Sequence, residues 1–231
     1  GNGLALGYGC GKMVNVSNRV YGLGKSCCYA NWLMTSENGK IKMDKALNIG
    51  KTKVTTKIKK ESKEADKITK LQLMSTDKYR ATVLQPIINE IARIIDYGQP
   101  CVADGTYGKM NGGHYVSVGA NRTTALNLHN IHIQSFSSNH FKSGDSIRYK
   151  AGLIERYGKD YFEFVEFLQQ HKPLNLTKQD LVNITLKAST IRLNLKRDEK
   201  TKTAFERIEL RNIINLELGI YEKKFCEFYK E

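Results

Sequence analysis

The chain has 231 residues, of which 37 are Lys or Arg and 23 are Asp or Glu, so its formal net charge is +14 at pH 7. Hydrophobic residues make up 40% of the chain and the mean hydropathy is −0.46, values typical of a globular protein and not of a disordered one. No apolar run approaches the roughly 18–20 residues that a membrane-spanning helix needs. We therefore expect no membrane span.

The positive surplus favours contact with polyanions such as nucleic acid, an anionic cell-wall polymer or a membrane surface. The alternative is a lysine-rich face that is merely solvated. Few aromatic residues stand among the basic ones, whereas a stacking surface for nucleobases requires them. Charge alone is therefore explained by a solvated lysine-rich surface as well as by an anionic partner.

The cysteines are five in number, and their spacing does not fit the paired C-x-x-C pattern of a zinc site. They are Cys10, Cys27, Cys28, Cys101 and Cys226. An odd count and a strained vicinal pair indicate free thiols, and thus a reducing compartment or a catalytic cysteine. We predict no metal and no cofactor. The chain starts at Gly1 and not at Met, so the location stays open: secreted or cell-envelope if a signal was removed, otherwise cytoplasmic.

Two glycine-rich segments near the start, residues 9–12 and 22–26, look like phosphate-binding loops. The Walker A pattern needs a glycine five residues before the Gly-Lys pair, and Leu6 and Arg19 occupy those positions. This excludes a P-loop nucleotide site. We expect the glycines to form turns close to the start of a helix.

The elements of the first hundred residues follow from periodicity and from turn residues. We predict a helix over 27–37 that a turn at 38–39 ends, a short strand or loop over 52–58, and a charged helix or mobile arm over 59–70. A second helix is predicted over 77–96. Pro86 moves its true start to about Gln85, and Gly98 stops it.

The following segment predicts strands. We expect them over 100–103, 114–119 and 125–133, with a hairpin turn at 121–124 and a polar loop over 135–144. From residue 151 onward the pattern is helical, with a capping motif at Thr177 and Asp180 and a long helix over 203–229. We place a boundary near residue 150, which gives domains over 1–150 and 151–231.

Nucleophilic chemistry is suggested by Cys27 and Cys28, because a thiol at the first turn of a helix lies at the positive end of the macrodipole. That position favours the reactive thiolate. A cysteine nucleophile also needs a base and a group that orients the base. His114 on its strand suits the base, and Asn130, one strand later, suits the orienting group. His129 and His132 would point to opposite faces of a strand, which disfavours a metal site.

These segments together resemble the bacteriocin-processing cysteine peptidases of the papain superfamily, a bacterial group. The shared motifs are the Cys-x-x-Ala at Cys27 and Ala30, the Gly-x-Pro at 98–100, and the Gly-His-Tyr-Val around His114. The resemblance implies an α+β papain-like domain, in which an N-terminal helix carries the cysteine and an antiparallel sheet the histidine. The C-terminal helical region is an addition to that domain.

The resemblance also implies a cysteine hydrolase or transferase that cleaves an amide bond in a peptide or a peptidoglycan-like substrate. Cys27 would be the nucleophile, although a Cys-Trp-Ala alignment selects Cys28. The family's oxyanion glutamine is missing; Tyr21, near its position, or backbone N–H groups would replace it. The alternative is a non-catalytic basic protein that binds nucleic acid or another anionic polymer on an inactive peptidase-like fold.

Overall fold

The structure is a computed structural model that describes residues 7–21, 23–25, 28–141 and 145–229. The chain divides into two compact units, Gly1–Leu73 and Met74–Glu231. The predicted boundary near residue 150 lies instead within a helix of the second unit. None of the helices in these residue ranges is long and apolar enough to cross a membrane.

The first unit consists of a small antiparallel ribbon and two helices. Strands β1 (Arg19–Val20) and β2 (Leu23–Gly24) pair with each other, and α1 (Cys28–Thr35) and α2 (Glu37–Leu73) follow. Its core is formed by Leu23, Cys28 and Trp32, which are buried. From Lys40 to Asp66, α2 is exposed.

The predicted turn at residues 38–39 was wrong, because both residues belong to the first turn of α2. The Ser36 hydroxyl accepts a hydrogen bond from Gly39 N at 2.9 Å, which caps the new helix. A Cβ on Gly39 would lie 2.1 Å from the carbonyl oxygen of Trp32. Gly39 therefore allows α1 to pack closely against α2 and does not end a helix.

The predicted strand or loop over 52–58 was also wrong, and the helix predicted over 59–70 is confirmed as part of α2. The β-branched residues of 52–58 favour strands. Here Thr52, Thr55 and Thr56 each donate a side-chain hydrogen bond to the carbonyl four residues earlier, at 2.9 Å. Such bonds accommodate threonine within a helix.

The second unit is a helical assembly around one hairpin. Its elements are α3 (Thr76–Tyr79), a π-helical turn (Arg80–Leu84), α4 (Gln85–Ile95), β3 (Met110–His114), β4 (Ile131–Ser135), α5 (Phe136–Phe141), α6 (Ser146–Tyr157), α7 (Lys159–Phe167), α8 (Lys178–Arg197) and α9 (Ala204–Leu218). The helix predicted over 77–96 is confirmed, but its start near Gln85 was wrong, because the backbone is helical without a break from Thr76 to Ile95. The capping box at Thr177 and Asp180 is also confirmed.

The hairpin differs from the predicted strands. Strands β3 and β4 are antiparallel with Met110 opposite Ser135 and His114 opposite Ile131, so β3 ends at the residue where we had placed the start of a strand. Close packing explains the shift. A Cβ on Gly112 would lie 2.6 Å from the carbonyl oxygen of Asn89 in α4. Residues 115–130 form a long connection that contains two 3₁₀ turns.

Three further expectations were wrong. Residues 100–103 form no strand, although Val102 N donates to the carbonyl of Ile133 at 2.9 Å. The predicted loop over 135–144 contains α5. The last long helix ends at Leu218 because Gly219 takes a left-handed conformation, with a φ of +68°, and such a glycine terminates a helix.

Candidate functional site

His114 is half-buried at the end of β3, and one of its two ring nitrogens is held by a hydrogen bond. Its Nε2 is 3.0 Å from the carbonyl oxygen of Ala125. Gln85 Nε2 donates to the same oxygen at 2.8 Å and lies 3.2 Å from His114 Nε2. A carbonyl can only accept and an amide nitrogen can only donate. His114 Nε2 therefore carries the proton and donates it to Ala125, so Nδ1 holds the lone pair.

This histidine is neutral near pH 7, because burial lowers its pKa more than the bond to the Ala125 carbonyl raises it. Within the described part of the chain, nothing bonds to Nδ1. A neutral imidazole with one nitrogen anchored and the other unused is arranged to accept a proton.

Asn130 is fully buried and closes the loop that begins after His114. Its Oδ1 accepts from Val116 N at 2.8 Å, and its Nδ2 donates to the carbonyls of Val116 and Thr124 at 3.0 and 3.2 Å. Among the hydrogen bonds of the described residues, none joins Asn130 to His114. The group that orients the imidazole is the Ala125 carbonyl, and Asn130 acts on the loop that presents it.

The other predicted site residues belong to the first unit, whereas His114 belongs to the second. Cys27 lies outside the described residues. Cys28 is buried at the start of α1, and its Sγ accepts a hydrogen bond from Cys10 N at 3.3 Å. Tyr21 has a positive φ of 51°, and its hydroxyl accepts from Lys42 Nζ at 2.6 Å. Its ring contacts Trp32. Cys101 and Cys226, in the second unit, are free thiols.

Buried polar side chains in and beside the hairpin form a hydrogen-bonded cluster. His132 Nε2 lies 3.0 Å from the carbonyl of His129, and His129 lies within hydrogen-bonding distance of Tyr161 and of the carbonyl of Cys226. Burial, with the nearby Arg211 charge, lowers the pKa of His132 to about 4 and of His129 to about 3. Both histidines are structural, and no group of His, Cys, Asp and Glu in the described ranges is arranged to hold a metal ion.

The main basic feature is α2, which contains eleven lysines and five acidic residues. Lys45, Lys59, Lys63 and Lys70 are all exposed, and their separations of 14, 4 and 7 residues place them on one side of a helix with 3.6 residues per turn. We call these four residues the lysine face. Apolar side chains lie on the opposite side, at Met43, Leu47, Val54 and Ile58.

A match to a known family identifies the group of proteins to which the chain belongs. The family described as "Bacteriophage Lambda NinG protein" matches residues 24–199, which is more than half of the chain. The chain belongs to the bacteriophage lambda NinG family. The matched region begins in β2 and ends just after α8, so it includes the lysine face, the hairpin and His114.

Individual NinG proteins support this membership. The chain is 32% identical over 102 residues to protein ninG of Escherichia phage lambda, covering 43% of this chain and 50% of the relative. It is 34% identical over 94 residues to protein ninG of Salmonella phage P22, covering 40% and 46%. The chain thus spans about half the length of the curated relatives it matches. No solved structure matches it, and the papain-like architecture stays a prediction.

The resemblance to bacterial cysteine peptidases was wrong, and so was the predicted amide-cleaving cysteine hydrolase, because the chain belongs to the bacteriophage lambda NinG family. The motifs that suggested a peptidase are short. Packing accounts for both motifs. Cys28, at the helix start, belongs to the core of the first unit, and the glycines before His114 leave room for neighbouring elements.

Two features of the chain were not predicted from the sequence. The Ala125 carbonyl and Gln85 around His114 carry no sequence signal, because a backbone carbonyl has no residue identity and Gln85 lies 29 residues away. The lysine face did have a signal. Its spacing is helical, but reading 52–58 as a strand or loop concealed the continuity of the helix.

Proposed function

We propose that this protein binds nucleic acid through the lysine face of α2. The proposal rests on one observation: four exposed lysines lie on one side of α2, and most of this helix is exposed. The net charge of +14 supplies a long-range attraction to the same ligand.

The dimensions of the lysine face suit a polynucleotide. At about 1.5 Å of rise per residue, the separation of 25 positions between Lys45 and Lys70 corresponds to about 38 Å. One turn of B-form DNA is about 34–36 Å long. The lysine face can therefore follow phosphates over about one turn of a duplex.

Salt dependence provides the test. Each phosphate that a lysine neutralises releases counterions and adds about 0.9 to the slope of log K against log salt. Replacement of Lys45, Lys59, Lys63 and Lys70 by Gln should therefore reduce that slope by about 3 to 4. The measurement is fluorescence anisotropy on a labelled duplex of about 30 base pairs across a series of KCl concentrations.

A matched control separates local contact from net charge. Gln at Lys159, Lys172, Lys223 and Lys224 removes the same four charges from exposed positions outside α2. We expect the control to change the slope far less than the lysine-face variant does. Equal slopes for the two variants would show that α2 has no special role, and a lysine face that only interacts with water would give that result.

The geometry of His114 favours a second function, hydrolysis of a phosphodiester. We propose that Nδ1 takes a proton from a water molecule as the water oxygen attacks phosphorus. The P–O bond to the leaving oxygen breaks, and that oxygen takes a proton from solvent. Such a general base contributes about 10²- to 10⁴-fold to the rate.

His114→Gln tests this role. A glutamine can keep a donor near Ala125 but has no basic nitrogen in place of Nδ1. We expect duplex affinity to be kept, and cleavage of end-labelled single- and double-stranded DNA, assayed with and without Mg²⁺, to fall about 100-fold or more. If the wild type cleaves none of these substrates, or the variant cleaves at the wild-type rate, His114 is not a catalytic base.

A further inference from the structure

A cavity of about 480 Å³ lies between the end of α4, the segment before β3 and the end of α8. Two tyrosines that are ten residues apart in sequence, Tyr97 and Tyr107, both line it. Their side chains are unusually open, with 46% and 74% of their surface exposed. We call this feature the two-tyrosine cavity.

Neither tyrosine belongs to the buried core of the second unit. Elsewhere in the second unit rings pack against rings, as Tyr161 does against Phe228. Among the described residues, neither Tyr97 nor Tyr107 has a ring partner or a side-chain hydrogen bond. An exposed tyrosine ring offers a large, rigid and flat contact area at low cost in conformational entropy. Two such rings in one cavity favour a flat ligand.

The polar lining of the cavity has the complementary chemistry for a nucleobase. Arg93 can only donate, Glu199 can only accept, and the Gln99 amide can do both. All three line the cavity, and within the described ranges their side chains make no hydrogen bond or ion pair. Nucleobase edges present donors and acceptors in one plane.

The remaining charges of the cavity are already compensated. Glu90 forms ion pairs with Arg192 at 3.1 Å and with Lys196 at 2.5 Å. This leaves Arg93 and Glu199 as the unpaired charged groups of the cavity. They have opposite signs and suit a neutral, polar and planar group better than they suit a phosphate.

We infer that the two-tyrosine cavity binds an unpaired nucleobase of the polynucleotide. This inference rests on the proposed nucleic-acid binding. A base inside a duplex has both faces stacked and its edge paired, so only an unstacked base can offer a face to tyrosine and an edge to the polar groups. The volume lies within the range of about 300–1,000 Å³ that is usual for small-ligand sites.

The sequence had suggested that few aromatic residues accompany the basic ones. Tyr97 and Tyr107 lie on either side of the turn-rich segment 98–106, and only the fold brings them into one cavity with Arg93. The inferred ligand extends the proposed function from polynucleotides in general to those with unpaired bases.

Three labelled oligonucleotides test the inference by fluorescence anisotropy. The first is a duplex with one unpaired thymine, the second has an abasic residue at that position, and the third is fully paired. We expect the wild type to bind the first about five- to hundred-fold more tightly than the second, which is the usual contribution of one base stacked on an aromatic side chain.

The variants Tyr97→Ala and Tyr107→Ala should each reduce this preference about five-fold or more and leave affinity for the paired duplex unchanged. Tyr107→Phe should keep the preference, because the ring is kept. Tyr229→Ala is the matched control: its ring is 67% exposed and lies outside the cavity, so the preference should stay at the wild-type value.

Equal affinity of the wild type for the unpaired thymine and the abasic residue would overturn the inference while leaving nucleic-acid binding intact. The same conclusion would follow if Tyr107→Ala behaved like Tyr229→Ala. Displacement of the oligonucleotide by an equal concentration of thymidine monophosphate would assign the cavity to free nucleotides instead. Failure to bind all three oligonucleotides would overturn the proposed function itself.

Discussion

Arg211 Nη2 donates to both carboxylate oxygens of Asp96, at 2.9 Å each, and both side chains are completely buried. The carboxylate also accepts from Ile133 N at 2.9 Å and from the Tyr157 hydroxyl at 3.2 Å. Asp96 caps α4 and Arg211 lies within α9, so this ion pair joins two helices to β4 and α6. Burial alone would raise the pKa of Asp96, but the Arg211 charge and the hydrogen bonds lower it overall.

Removing Arg211 should be costly, because the buried Asp96 carboxylate then keeps only a more distant charge partner, Arg207, whose Nε lies 3.6 Å from Oδ1. We expect Arg211→Met to lower the free energy of unfolding by about 3–5 kcal/mol. The measurement is urea denaturation followed by circular dichroism.

The double variant with Asp96→Asn and Arg211→Met provides the control. Neither residue is then charged, so we expect the double variant to lose less stability than the sum of the two single losses. Strictly additive losses would show that the two residues stabilise the fold independently of each other.

Stability should fall as the pH is lowered from about 6.5 toward 4. The pKa values of His132 and His129 are lowered to about 4 and about 3 in the fold, whereas the unfolded value is about 6.5. In this window the unfolded chain binds more protons than the folded one, so unfolding becomes easier as pH falls.

The slope of unfolding free energy against pH should approach about 1.4 kcal/mol per pH unit for each buried histidine. Urea denaturation at a series of pH values between 4.5 and 7 measures it. His132→Asn should remove one histidine's share of the slope. A wild-type unfolding free energy that is constant from pH 4.5 to 6.5 would contradict the assignment of both histidines as buried and neutral.

Two glycines of α2 should respond in opposite directions to the same substitution. A Cβ at Gly39 would lie 2.1 Å from the Trp32 carbonyl, whereas at Gly50 it would meet nothing within 4 Å. Gly50→Ala should stabilise the helix by about 1 kcal/mol, the difference in helix propensity. Gly39→Ala should destabilise the first unit, because α1 and α2 must separate.

Trp32 is the chain's one tryptophan and is buried, so its fluorescence reports on this junction. We expect Gly39→Ala to shift the emission to longer wavelength and Gly50→Ala to leave it unchanged. Far-ultraviolet circular dichroism gives the helix content of both variants. Indistinguishable spectra for the two variants would show that the close approach at Gly39 is unimportant.

Asn130 should matter for stability although it does not touch His114. Asn130→Ala leaves the buried Val116 N–H without an acceptor, a loss that costs about 1–3 kcal/mol for each unsatisfied group. Urea denaturation measures the loss. Asn121→Ala is a milder comparison, since Asn121 Oδ1 accepts from Thr123 N in a partly buried turn. A smaller loss at Asn130 than at Asn121 would contradict the role of Asn130 in closing the loop.

Features that depend on nearby residues could be predicted from the sequence. The capping box at Thr177 follows from hydrogen bonds within a few residues, and the helix predicted over 77–96 follows from the spacing of its apolar residues; the structure confirms both. The basic charge of the chain was equally evident. The net charge depends only on composition, which folding does not change.

Only the tertiary structure decided how His114 is held, because its anchor is the backbone carbonyl of Ala125 and no side chain identifies it. The same applies to Gly112, which reads as a turn residue but lies in a strand where α4 leaves no room for a Cβ. Asp96 and Arg211 are 115 residues apart, and local periodicity cannot pair them. Long-range contacts determine these features, since burial and close approach depend on what the fold places beside each residue.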